Sequence, residues 1–155
     1  MTSIMGIDPG KEGAVAIFPL REKEFVVLNG LLQNIDYCFF RAYVHDFAVS
    51  HIYLEKAQSM PKQGVTGMFH YGQGFGRLIG WIESLMIPFT LVTPQQWMKI
   101  MHQGATGKDA KAKSLQVAQR LFPELDFKAT ERCKKPHMGL VDACLIAEYG
   151  RRTYK

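Results

Sequence analysis

Ile7-Asp8-Pro9-Gly10-Lys11-Glu12-Gly13-Ala14-Val15-Ala16-Ile17 decides the fold of this chain: an apolar run ending in a carboxylate, a Pro-Gly turn, then a second apolar run. Apolar runs bounded by turn residues read as strands, and so short a connection joins them antiparallel. The hairpin therefore presents Asp8 at the mouth of a sheet. Working outward, strands are expected at about 3–8, 13–19 and 24–29, the last two separated by the charged turn Arg21-Glu22-Lys23. Residues 34–49 are densely apolar without turn residues and suit a buried helix. Ile52-Tyr53-Leu54 returns as a short strand that delivers Glu55, and the intervening helix permits parallel pairing with the first strand.

Phe75, Leu78, Ile79, Ile82, Leu85 and Met86 recur at helical spacing and mark a helix that Pro88 ends. Phe89-Thr90-Leu91-Val92 reads as a fifth strand. Thr93-Pro94 then supplies an N-cap and a proline at the first helical position of a short helix through Met101. Gln103 to Gly107 is a loop, Asp109 to Phe122 a helix stopped by Pro123, and a last helix spans about 139–149. The order βββαβαβααα is a three-layer α/β design with a mixed five-stranded sheet and helices on both faces. Its 155 residues, 47% hydrophobic, fit one domain covering 1–155, since a chain of this length buries about two-thirds of its unfolded surface.

Nineteen Lys and Arg oppose fourteen Asp and Glu, a net charge of +5. Between Lys99 and Lys135 stand nine basic and four acidic residues, so that segment holds the whole surplus. A local positive field attracts a polyanion, and phosphate neutralisation is the usual source of nucleic-acid affinity; the plainer reading is a solubilising face. Three cysteines without a CxxC pair support neither a disulfide framework nor a zinc site. No charged leader with an apolar core and no run of roughly 20 apolar residues is present. A reducing, soluble compartment with no membrane association is expected.

The third acid of interest, Asp142, stands alone in the apolar stretch Gly139 to Ala147. Each acid has a plain structural use: Asp8 in an Asx turn before Pro9-Gly10, Asp142 complementing a helix dipole. Glu55, after three apolar strand residues, has no such turn role. Carboxylates in apolar settings need a partner or a cation. Hard cations such as Mg²⁺ take oxygen ligands and activate phosphodiester hydrolysis, so carboxylates from separate elements suggest a metal site.

Gly6-Ile7-Asp8-Pro9-Gly10, Tyr53-Leu54-Glu55-Lys56, Thr93-Pro94-Gln95-Gln96-Trp97 and Val141-Asp142-Ala143-Cys144-Leu145-Ile146-Ala147, in that order, resemble the RuvC-like Holliday junction resolvases of the RNase H-like superfamily, most of all their phage and organellar branch. The resemblance implies an RNase H-like nuclease domain. It also implies a Mg²⁺-dependent endonuclease, with Mn²⁺ as the alternative ion, acting as a homodimer on four-way junction DNA in recombination and repair. No small-molecule cofactor is implied. The setting would be the cytoplasm of a bacterial or phage-infected cell, or an organelle. By position Asp8, Glu55 and Asp142 look like the metal ligands. The family's fourth group falls in Lys135-Pro136-His137-Met138-Gly139-Leu140-Val141, which lacks a carboxylate, leaving His137 as a metal ligand or a water-activating group.

Lys108, Lys111 and Lys113 open a helix within the basic segment; as phosphate contacts they join Lys134 and Lys135. In the resembling family a lysine of this helix sits close to the active site, here Lys113 first and Lys111 next. Gly64 to Gly76 holds five glycines beside Phe69, His70, Tyr71 and Phe75 and reads as a loop leading into a helix. Phe69 and Tyr71 are candidate junction contacts, with core or dimer-interface packing the alternative. Two further classes stay open. One is a junction-binding protein with weakened catalysis. The other is an actin-like or sugar-kinase-like phosphate-binding module, which Gly6-Ile7-Asp8-Pro9-Gly10 also resembles.

Overall fold

The computed structural model describes residues 2–20, 26–56, 58 and 64–155. The Arg21-Glu22-Lys23 turn and the first two residues of the expected third strand lie outside them. The elements run β1 (Ser3–Asp8), β2 (Ala14–Pro19), β3 (Val26–Leu31), a 3₁₀ turn (Leu32–Asn34), α1 (Tyr37–Asp46), β4 (Val49–Glu55), α2 (Val65–Ser84), β5 (Phe89–Val92), α3 (Pro94–Met101), α4 (Ala110–Leu121) and α5 (Met138–Thr153).

The strands lie in the order β3-β2-β1-β4-β5, with β1 antiparallel to β2 and parallel to β4, and β4 parallel to β5. The sheet is thus mixed. Four strands, β2, β1, β4 and β5, form its body, with one slip between Ser3 and Ile4 in the β1–β4 ladder. β3 adds at the β2 edge through a ladder that slips between Val15 and Ile17.

Side chains alternate across a strand, and both faces here are covered. Ile4, Ala14, Ala16, Phe18, Tyr53 and Val92 point into a core shared with α3, α4 and α5. Met5, Ile7, Val15, Ile17, Ile52 and Leu54 point into a second core closed by α1 and α2. By the same alternation, Asp8 and Glu55 are directed to the α5 side.

Several boundaries moved. α1 is shorter than the apolar density suggested because Asp36 caps it, its Oδ1 accepting from Phe39 N at 2.9 Å, while a 3₁₀ turn takes up the preceding residues. β4 starts at Val49, ahead of Ile52. The glycine-rich stretch before Phe75 is helix rather than loop: α2 begins at Val65, with Met68 N bonded to Gly64 O at 3.0 Å. Glycine in a helix interior costs about 1 kcal/mol against alanine. Once Leu78 and Ile82 anchor the helix in the core, each further residue adds a backbone bond, and the helix extends backward. At the other end of the chain, α5 runs on to Thr153, where Glu148, 2% exposed, binds Arg151 and Arg152, each at 2.7 Å.

Candidate active site

Asp8 ends β1 and Glu55 ends β4; these strands are parallel neighbours, with Ile7 paired to Leu54, so the two carboxylates emerge side by side. Asp142 comes from α5, which lies directly across β1. Gly6 makes that crossing possible, because a Cβ there would run into the backbone of Ala143 and Ala147. Gly139 does the same one turn earlier, where a Cβ would strike the carbonyl of Glu12 in the β1–β2 turn. Between Gly139 and Glu148 every residue is buried except Asp142, which is part-exposed and feels the charges of Asp8 and Glu55.

Electrostatics tie the three acids into one cluster. Burial pushes Asp142 up to about 7, and the charges of Asp8 and Glu55 add to the push; Ser114 and Lys111 pull the other way. Burial likewise raises Glu55 to about 7; the Trp97 indole opposes this, while Asp8 reinforces it. Asp8 is raised by burial against the pull of the Gly10 amide and of His137. These are carboxylates held together at a cost, short of positive charge.

Two acid oxygens are held. Gly10 N donates to Asp8 Oδ1 at 2.9 Å, and Trp97 Nε1 donates to Glu55 Oε2 at 2.7 Å. Trp97 itself is fully buried in α3, placed there by Thr93, whose hydroxyl caps the helix while Gln96 bonds back to Thr93 N. Asp142 Oδ1 and His137 Nδ1 are buried with no hydrogen-bond partner. Orphaned buried acceptors beside mutually repelling carboxylates are what an oxygen-liganded divalent cation would satisfy. Among the described residues, no group of three or more His, Cys, Asp or Glu stands close enough together to hold a metal ion. The chemistry of these donors, carboxylate oxygens with Asp142 Oδ1 left unpartnered, is that of a hard divalent cation's ligands.

His137 caps α5 without a side-chain bond and lies near enough to Asp8 for its charge to act there. Lys111, rather than Lys113, is the lysine whose charge reaches Asp142; Lys113 acts on His102 instead. Lys108, Lys134 and Lys135 are exposed on the same basic segment. Tyr71 is half-buried and feels both Asp8 and Glu55, which raise its phenol after burial does. Phe69 is 68% exposed.

No protein-family model matches the chain, and no curated protein sequence matches it significantly. Solved structures do. RuvC of Thermus thermophilus in complex with a Holliday junction substrate is similar with a TM-score of 0.62 at 15% identity, over 99% of this chain and 97% of that one. Another Thermus thermophilus RuvC structure gives 0.62 at 14% identity, over 97% and 95%. The fold is RuvC-like. The yeast mitochondrial Holliday junction resolvase Ydc2 is also similar, at 13% identity and a TM-score of 0.49 over 96% of this chain and 77% of that one.

Within the RuvC-like fold, three positions around the acids have roles the sequence reading did not assign. Trp97 stood in a quoted motif without a role, yet it orients Glu55. His102 Nε2 and Ser114 Oγ lie 3.0 Å apart, and Ser114 acts on Asp142. The only sequence signal for Ser114 was its place among the lysines of α4, and His102 carried none.

Proposed function

We propose that the chain is a divalent-metal-dependent endonuclease that cuts four-way DNA junctions, working as a homodimer. The observation that carries the reading is the convergence of Asp8, Glu55 and Asp142, mutually repelling and with Asp142 Oδ1 unpartnered, at the strand ends of a RuvC-like sheet. That one of the similar RuvC structures holds a Holliday junction substrate supports the choice of DNA.

In this reading Asp8, Glu55 and Asp142 hold Mg²⁺, with His137 beside them. The ion's chemistry is to lower the pKa of a bound water and to polarise the phosphate. The chain's own residues do the rest. The Gly10 amide and the Trp97 indole each fix one oxygen of their acid, which limits rotation of the carboxylate and leaves the other oxygen for the ion. Lys111 places a positive charge at the Asp142 edge, where the scissile phosphate would gain negative charge. Lys108, Lys113, Lys134 and Lys135 contact phosphates further out and set affinity rather than rate.

The test is a labelled four-way junction beside a linear duplex of the same sequence, with Mg²⁺ or EDTA, for the wild type and Asp8→Asn. Paired nicks in the junction alone, dependent on Mg²⁺ and lost in the variant, are the expected result. Tight junction binding with no nicks under Mg²⁺ or Mn²⁺ would replace the nuclease with a junction-binding protein, the reading favoured by His137 standing where a carboxylate would serve.

A further inference from the structure

Behind the acids, where α3, α4 and α5 pack together, stands a polar pair to which the catalytic reading gives no part. Ser114, 2% exposed on α4, has its Oγ 3.0 Å from Nε2 of His102, the residue that closes α3. The backbone of His102 is fixed from both sides: its N donates to Met98 O at 2.9 Å, and its O accepts from Ala105 N at 3.0 Å. Its ring meets the Trp97 indole edge to face, with 5.7 Å between centroids. Both neighbours of the ring reach an acid. Ser114 favours the charged form of Asp142 by hydrogen bonding, and Trp97 Nε1 donates to Glu55 Oε2 at 2.7 Å.

A proton count decides what the pair does. Burial, and after it the charge of Lys113, push His102 below its ordinary value of 6.5, so at pH 7 the ring is neutral and carries one N–H. A serine hydroxyl has one proton to give and two lone pairs to accept with. With the ring proton on Nδ1, Ser114 would give its own proton to the bare Nε2 and turn lone pairs toward Asp142, which is repulsive. With the ring proton on Nε2, Ser114 accepts from the ring and its hydroxyl is free for the carboxylate, each bond polarising the other. The charge of the acids selects the second arrangement.

We propose, resting on the nuclease reading, that His102 is a positioning residue: it donates Nε2–H to Ser114, holds the Ser114 hydroxyl on Asp142, and backs the Trp97 indole that holds Glu55. One imidazole thus braces two acids delivered by separate elements, β4 and α5. Removing an outer partner of this kind lowers metal affinity or activity by roughly 10- to 100-fold.

The experiment compares wild type, Ser114→Ala, His102→Leu, His102→Gln and the double variant Ser114→Ala/His102→Leu, each first checked for folding by circular dichroism. Ser114→Ala deletes one atom and puts a better helix former in α4, so at least this variant keeps the fold. Glutamine returns an amide N–H near the place of Nε2, whereas leucine returns bulk alone. Three quantities are read: the protonated ring nitrogen of His102 by nitrogen NMR in EDTA, Mn²⁺ affinity without DNA, and single-turnover cleavage of a four-way junction. The expected result is a ring protonated on Nε2, with losses of roughly tenfold or more in Mn²⁺ affinity and cleavage rate for Ser114→Ala and His102→Leu. The double variant should lose no more than either single one, and His102→Gln should stay within about threefold of wild type. A ring protonated on Nδ1, glutamine no better than leucine, or losses that add in the double variant would each overturn the positioning role, while cleavage by the wild type keeps the nuclease. A wild type that shows the Nε2–H ring yet neither binds Mn²⁺ nor cuts overturns the nuclease reading, and the positioning role with it.

Discussion

Asp142→Asn is expected to make the metal-free protein more stable while destroying its activity. Asp142 is raised from 3.8 to about 7 by burial and by the charges of Asp8 and Glu55. At about 1.36 kcal/mol per unit, three units set a ceiling of roughly 4 kcal/mol for the penalty of ionising it in the fold. Relaxation and salt reduce that to an effect of about 1–3 kcal/mol, or roughly 3–10 °C in Tm for a domain of this size. The sign follows from linkage: the folded pKa lies above the unfolded one, so the penalty is absent below about pH 4, grows as pH rises toward 7, and is complete above it. In EDTA the wild type should therefore lose stability between pH 5 and 8, and Asp142→Asn should lose less. Adding Mg²⁺ at pH 8 should restore the wild type by mass action and do little for the variant. Thermal unfolding followed by circular dichroism over this grid is the assay, with exposed Asp126→Asn as control. A variant that is less stable than wild type in EDTA at pH 8, or whose gain is the same at pH 5 and 8, would refute the reasoning.

Asp8→Asn and Glu55→Gln should abolish junction cleavage while changing junction affinity in a gel-shift titration by less than about threefold, since phosphate contacts supply most of the binding. Trp97→Phe removes the donor that lowers the Glu55 pKa, so the acid limb of the cleavage pH–rate profile should move to higher pH; an unmoved limb in a folded variant would mean that Glu55 does not need to be ionised. Lys111→Ala should slow single-turnover cleavage at least tenfold and more than Lys113→Ala does, because only Lys111 reaches Asp142; the opposite order would place the phosphate nearer Lys113. Gly6→Ala should cost about 3 kcal/mol or more, seen as insoluble or unfolded protein, since the added methyl strikes the α5 backbone with nowhere to move.

The elements carrying the acids were legible because their signals are local. Asp8 follows an apolar run and precedes Pro9-Gly10; Glu55 closes a short apolar run; Asp142 interrupts the otherwise apolar stretch Gly139 to Ala147. Thr93-Pro94 announced α3 through cap chemistry and a capping box formed there. What the sequence hid are effects that need a third dimension. The helical start of α2 was masked by its glycines, whose unfavourable propensity is overridden by Leu78 and Ile82 in the core beneath. The Trp97 bond to Glu55 and the Ser114–His102 pairing join elements distant along the chain, and no periodicity records them. Lys111 and Lys113 differ in role by which side of α4 each occupies relative to α5, which becomes visible only once α4 is docked.

The placement of α5 over β1 has a consequence for how the protein is made. Asp8 and Glu55 leave the ribosome early, but the third acid arrives on the helix that also covers one whole face of β1 and β2. A nascent or truncated chain lacking α5 is thus deprived of Asp142 and of half its core in the same stroke. The cluster of acids and the core that holds it are therefore completed together, by the last helix of the chain.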